Sequence, residues 1–167
     1  MRMCVLQTLK PAVVLLLAAG VASAAEFDSH IPMRDKGAST YYVDGDIHGV
    51  GPVDFMVDTG SGYMTINEVT LALLKQSGGA TYLRELSGVL ADGSTTTVPV
   101  YRIASVRIGV ACTLRDVEAA VFPGSTRQIL GLSALRQAAP FIFSMNPPQL
   151  VLSHCTARVA QGDDGAS

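Results

Sequence analysis

The sequence predicts a mostly-β, barrel-like single domain carrying one or two short helices. Three observations lead there. Short runs rich in β-branched and aromatic residues recur along the chain. Turn signals built from Gly, Pro and Asp separate them. Helical periodicity is scarce. A length of 167 residues suits one domain with a short tail.

The first 24 residues are expected to stand outside that domain. Arg2 and Lys10 precede a 14-residue, mostly apolar run from Pro11 to Ala24, and Ala22-Ser23-Ala24 fits a small-residue cleavage site. This is the layout of a secretory signal peptide. A retained anchor is the alternative, but the run is short against the ~20 apolar residues a span needs. Residues 25–38 are expected to form an N-terminal extension, 39–155 the domain, and 156–167 a flexible tail.

Within the domain, Ser39–Ile47 reads as a strand, His48–Pro52 as a hairpin loop and Val53–Val57 as the return strand. Tyr63–Ile66 reads as a further strand. Asn67 is placed to cap a helix over Glu68–Gln76, with Val69, Leu73 and Leu74 as its apolar face and Gly78-Gly79 as its end. Thr81–Ile103 divides into two strands around Ala91-Asp92-Gly93-Ser94, since Asp-Gly is a strong hairpin signal. Ser105–Gly109 and Thr113–Phe122 form a second antiparallel pair, broken by Pro123-Gly124-Ser125. Gln128–Pro140 starts as a short apolar strand and continues as a brief helix that Pro140 stops. Phe141–Asn146, a Pro147-Pro148 turn and Gln149–Ser153 make a last hairpin.

Charge and cysteine content narrow the function classes. Removing Arg2 and Lys10 with the leader leaves 143 residues, 10 basic against 14 acidic, for a net charge of −4. That balance argues against nucleic acid or an anionic membrane as the main partner. Loss of Cys4 leaves Cys112 and Cys155. In an oxidising compartment an even pair suggests one disulfide, the alternative being two separate buried thiols.

The strongest candidate for chemistry is Asp58. It sits between two apolar runs in Phe55-Met56-Val57-Asp58-Thr59-Gly60-Ser61, where an isolated carboxylate is costly unless it is bonded or shares its charge. Gly60 permits a sharp turn and the Thr59 and Ser61 hydroxyls can rigidify it, so the loop is suited to presenting a fixed carboxylate. A second apolar-apolar-Gly element, Ile129-Leu130-Gly131, follows about 70 residues on.

This ordered set resembles the retropepsin-type aspartic proteases, specifically the bacterial single-domain kind that is secreted or membrane-associated. The likeness runs from Asp58-Thr59-Gly60-Ser61 through the hairpin near Leu86–Val98 and Ile129-Leu130-Gly131 to the closing hairpin, covering Ser39 to Ser153. It implies a closed, single-lobed acid-protease β-barrel, with Asp58 on a loop crossed by the Ile129-Leu130 segment. It also implies a flap formed by Ala91, Asp92 and Gly93 over the cleft, and peptide or protein substrates. One Asp-Thr-Gly and no second copy implies a homodimer, each subunit giving one Asp58. Thr59 would then bond to its copy across the axis, and Gly60 would hold the carboxylate plane. Ser61 is expected to donate its hydroxyl to the carboxylate, which would favour the charged form and an acidic pH optimum. One departure is plain: neither residues 26–37 nor the polar tail resembles the interleaved chain ends of retroviral dimers.

Other chemistries find little support. His30, His48 and His154 share no metal-ligand spacing, there is no C-x-x-C, and no metal or cofactor is expected. G-x-S-x-G is absent, and Gly49-Val50-Gly51 lacks the helix a phosphate loop needs. The competing reading from another class is a non-catalytic peptide-binding or dimerisation module on the same fold. In either case the mature chain is expected in the periplasm or outside the cell.

Overall fold

The computed structural model describes residues 27–89 and 93–155. The leader, the tail beyond Cys155, and Ala91 and Asp92 at the flap tip lie outside the described residues. Among the described residues there are eleven strands and two short helical segments. In chain order these are β1 (Ser29–Pro32), β2 (Arg34–Asp35), β3 (Tyr41–Ile47), β4 (Gly51–Val57) and β5 (Met64–Asn67). There follow α1 (Glu68–Ser77), β6 (Ala80–Val89), β7 (Thr95–Ile108), β8 (Cys112–Phe122) and β9 (Gln128–Leu130). The chain closes with α2 (Leu132–Leu135, extended by a 3₁₀ turn Arg136–Ala138), β10 (Phe141–Met145) and β11 (Pro148–Leu152).

Six strands close on themselves. The order β3-β4-β9-β5-β8-β7 returns to β3 through Gly45↔Ile108, Asp46↔Arg107 and Ile47↔Val106. Within the ring each of the six strands is paired on both sides. β2 extends the ring beside β3 and β6 extends it beside β7. Inside lie Val43, Ile47, Phe55, Met64, Ile66, Ile103, Val106, Ile108 and Leu130, all fully buried. Gly45 lets the closing seam approach: a Cβ there would lie 2.6 Å from the Phe55 ring and 2.8 Å from the Arg107 carbonyl oxygen.

The helix cap is as expected and its face is not. Asn67 accepts from the Thr70 N–H at 2.9 Å, and Gly78, in the left-handed region at φ 70°, ends α1 while the Gly79 N–H reaches the Leu74 carbonyl at 2.8 Å. The buried residues are Thr70, Leu71 and Leu74, whereas Val69 and Leu73 stay 59% and 40% exposed. Thr70 can face inward because the Gln128 side-chain amide donates to its hydroxyl at 2.9 Å.

One further expectation is corrected. Thr95–Ile108 is one continuous strand where a break had been expected near Ala104; the Ala104 N–H is satisfied by the Gly79 carbonyl at 3.0 Å. Two strands lie in residues 27–38, within the stretch expected as an N-terminal extension. β1 pairs with β11, β2 pairs with β3, and Ile31 and Met33 are buried in the core. The first and last strands of the described residues thus share one three-stranded sheet, β1-β11-β10. Cys112, fully buried at the start of β8, is disulfide-bonded to Cys155 just past β11. The same bond removes both sulfurs as metal ligands.

Candidate active site

Asp58 emerges where β4 ends. β9 lies parallel beside it in the register Phe55↔Gln128, Met56↔Ile129 and Val57↔Leu130. The next rung is the Asp58 N–H donating to the Leu130 carbonyl at 3.2 Å. The carboxylate turns back on its own loop, where Oδ1 accepts the Gly60 N–H at 2.9 Å. The Ser61 N–H donates to the Asp58 carbonyl at 3.3 Å, and the Ser61 carbonyl accepts the Leu132 N–H at 2.8 Å. The loop is therefore stitched to itself and to the segment that crosses it. Asp58 is half-buried and Thr59 exposed.

Gly131 makes the crossing possible. A Cβ there would lie 2.1 Å from the Tyr63 carbonyl oxygen and 2.9 Å from that of Ser61. Its backbone is ordinary, at φ −97°, so glycine is required for space and not for conformation. Leu130 is fully buried beneath the loop, while Ile129 turns the other way and lines the cleft. Gly60 is also tight, since a Cβ would stand 3.2 Å from Asp58 Oδ1.

One expectation about this loop fails. The Ser61 hydroxyl donates to the Tyr63 carbonyl at 2.7 Å. A hydroxyl has one proton to give, so within the chain it does not donate to the Asp58 carboxylate, and the argument for an acidic optimum loses its basis.

The far side of the loop is braced by residues that the sequence did not single out. The Tyr63 hydroxyl accepts from Arg84 Nη2 at 2.9 Å, and Arg84 forks onto Glu118 at 2.6 and 3.3 Å. Those hydrogen bonds hold the Glu118 carboxyl below the usual carboxylate range and raise the Arg84 guanidinium further. Ser133 joins α2 to the same frame, accepting from the Met64 N–H at 2.7 Å and donating to the Glu118 carbonyl at 2.6 Å. No short spacing links Tyr63, Arg84, Glu118 and Ser133, so no motif could have announced them.

Above Asp58 opens a cleft of about 820 Å³. Met56, Asp58, Gly60 and Ile129 form its floor side; Leu86, Gly88, Val89 and Val98 come from the arms of the β6–β7 hairpin. Both arms of the hairpin thus line the cleft, and Gly93 is exposed at φ +84°. Asp58 is the one carboxylate among the described residues of the lining.

Residues 43–137 match the family described as "gag-polyprotein putative aspartyl protease". The chain is also similar to the crystal structure of a retropepsin-like aspartic protease from Rickettsia conorii. That likeness has a TM-score of 0.51 at 21% identity and covers 74% of this chain and 97% of the other. No curated protein matches the sequence. The barrel described above is a retropepsin-like fold.

Proposed function

The chain belongs to the gag-polyprotein aspartyl protease family, and on that premise we propose that it is an aspartic endopeptidase acting as a homodimer. Family and fold support a protease-type function. The observation that carries the finer reading is the fixing of Asp58. Asp58 is anchored at the cleft floor, its backbone N–H donating to the Leu130 carbonyl and its carboxylate accepting the Gly60 N–H.

A single Asp58 completes half a site. Brought within about 3 Å of its twofold copy, the pair cannot ionise twice, and one proton stays between them. Aspartic proteases are the standard instance of this effect. The ionised carboxylate takes a proton from the attacking water. The protonated one donates to the scissile carbonyl, and the proton gained is later passed to the leaving amine. Thr59, exposed beside Asp58, is the residue to bond across the axis. An extended peptide would lie under the β6–β7 arms and pair with their backbone. Closure of the arms excludes water.

The compartment is proposed as the periplasm or the exterior, after removal of residues 1–24. The Cys112–Cys155 disulfide supports an oxidising environment.

The test compares the full chain with Asp58→Asn, both expressed with the leader and purified after export. Cleavage of a mixed peptide library and mass in solution are recorded together. Asn keeps the shape and loses the shared charge, so wild type is expected to cleave and the variant to lose cleavage while both remain dimers. A folded wild-type dimer that cleaves nothing would return the protein to the peptide-binding class.

A further inference from the structure

The described lining of the cleft holds two charged side chains, Asp58 and Arg127. The first is the proposed catalytic group. The second has no role in the mechanism above, yet it projects into a wall that is otherwise largely apolar, beside Met56, Phe122 and Ile129. Arg127 precedes β9 directly, two residues before Ile129, so the two side chains share a face of that segment and both reach the cleft.

Arg127 lacks a matching anion. Arg34, Arg84 and Arg107 each hold a carboxylate, at 2.6, 2.6 and 3.6 Å. No ion pair among the described residues includes Arg127. Its Nη1 points instead at the Met56 sulfur, 3.7 Å away, and a thioether is a weak acceptor. Met56 lies two residues before Asp58, which is about 7 Å along a strand and equals about two residues of an extended peptide laid beside it.

From these positions we propose that Arg127 is a specificity residue that reads an acidic side chain, Asp or Glu, within about two residues of the scissile bond. A guanidinium can take a carboxylate in two parallel hydrogen bonds. Discrimination works in both directions. A neutral peptide that fills the cleft strips water from Arg127 without replacing it, and a basic side chain is repelled. The twofold copy places a second Arg127 on the other half of the cleft, so acidic residues are favoured on both sides of the bond. The scissile bond in this statement rests on the endopeptidase reading; the docking of an acidic side chain does not.

Two peptide pools test this, identical except that the residues flanking the central bond are Glu in one and Gln in the other. Binding is measured with the Asp58→Asn chain and cleavage with Asp58 intact. The Glu pool is expected to bind about tenfold tighter. Arg127→Gln should bring the ratio to near one, and Arg127→Glu should favour a third pool carrying Lys. The Arg127 side chain is exposed and makes no other polar contact among the described residues, so the folded state of each variant is checked by its melting temperature. If nothing is cleaved while the Glu preference stands and depends on Arg127, the endopeptidase reading falls and the acidic subsite survives. If peptides are cleaved through Asp58 but Glu and Gln pools bind equally, if neither binds, or if the preference survives Arg127→Gln, the subsite is refuted.

Discussion

Gly131→Ala isolates the crossing that holds the Asp58 loop. The added methyl would sit 2.1 Å from the Tyr63 carbonyl oxygen and 2.6 Å from its carbonyl carbon. Neither atom is the end of a flexible side chain, so the two backbone segments must part by roughly 1 Å to restore contact. Two hydrogen bonds span that gap, Asp58 N–H to Leu130 at 3.2 Å and Leu132 N–H to Ser61 at 2.8 Å. Losing them costs about 1–3 kcal/mol together, and overpacking adds about 1–3 kcal/mol. The expected destabilisation is therefore about 2–6 kcal/mol, a large part of a typical domain's stability. Urea denaturation at fixed protein concentration measures it, since a dimer's stability depends on concentration. Hydrogen exchange at the Asp58 and Leu132 amides should accelerate more than at β8 amides. Gly62→Ala is the control in the same loop, where a Cβ meets nothing within 4 Å; it should stay within about 0.5 kcal/mol of wild type. If Gly131→Ala is tolerated as well as Gly62→Ala, the crossing does not hold the loop as argued.

Thr65→Val should raise stability by about 1 kcal/mol, because the buried Thr65 hydroxyl has no hydrogen-bond partner among the described residues and has lost its hydration; an unchanged or lower urea midpoint would show that the hydroxyl is satisfied in solution. Opening the Cys112–Cys155 bridge, whose partners are 43 residues apart, should cost about 4 kcal/mol in the chain-entropy model. Denaturation with and without reductant measures this, and coincident midpoints would contradict it.

What the sequence made legible was local. The β3–β4 hairpin follows from its own turn residues, and the ends of α1 follow from Asn67 and Gly78, each acting on backbone groups a few residues away. Asp58 stood out because a carboxylate between apolar runs asks for a reason. The illegible parts depend on distant partners. Ile31 and Met33 are too short an alternation to mark strands until β11 and β3 supply the other half of the pairing. Val69 and Leu73 satisfy a helical stripe as well as Leu71 does; which face turns inward was decided by Gln128 reaching Thr70 from 58 residues away. The Ser61 hydroxyl had two acceptors within reach of its loop, and only the folded geometry chose the carbonyl of Tyr63 over the carboxylate.

The parallel pairing of β4 with β9 also sets a schedule. Asp58 appears early in the chain, but the carbonyl and the N–H that immobilise its loop belong to Leu130 and Leu132. Every residue between must be made and placed before the carboxylate is held, a long loop to close against chain entropy. A chain stopped between Gly60 and Leu130 carries the complete Asp-Thr-Gly triplet without the Leu130 and Leu132 bonds that hold its loop to the crossing segment. For a protein with a protease-type fold, this means that an unfinished copy lacks the fixed carboxylate, and that readiness arrives with the last third of the chain.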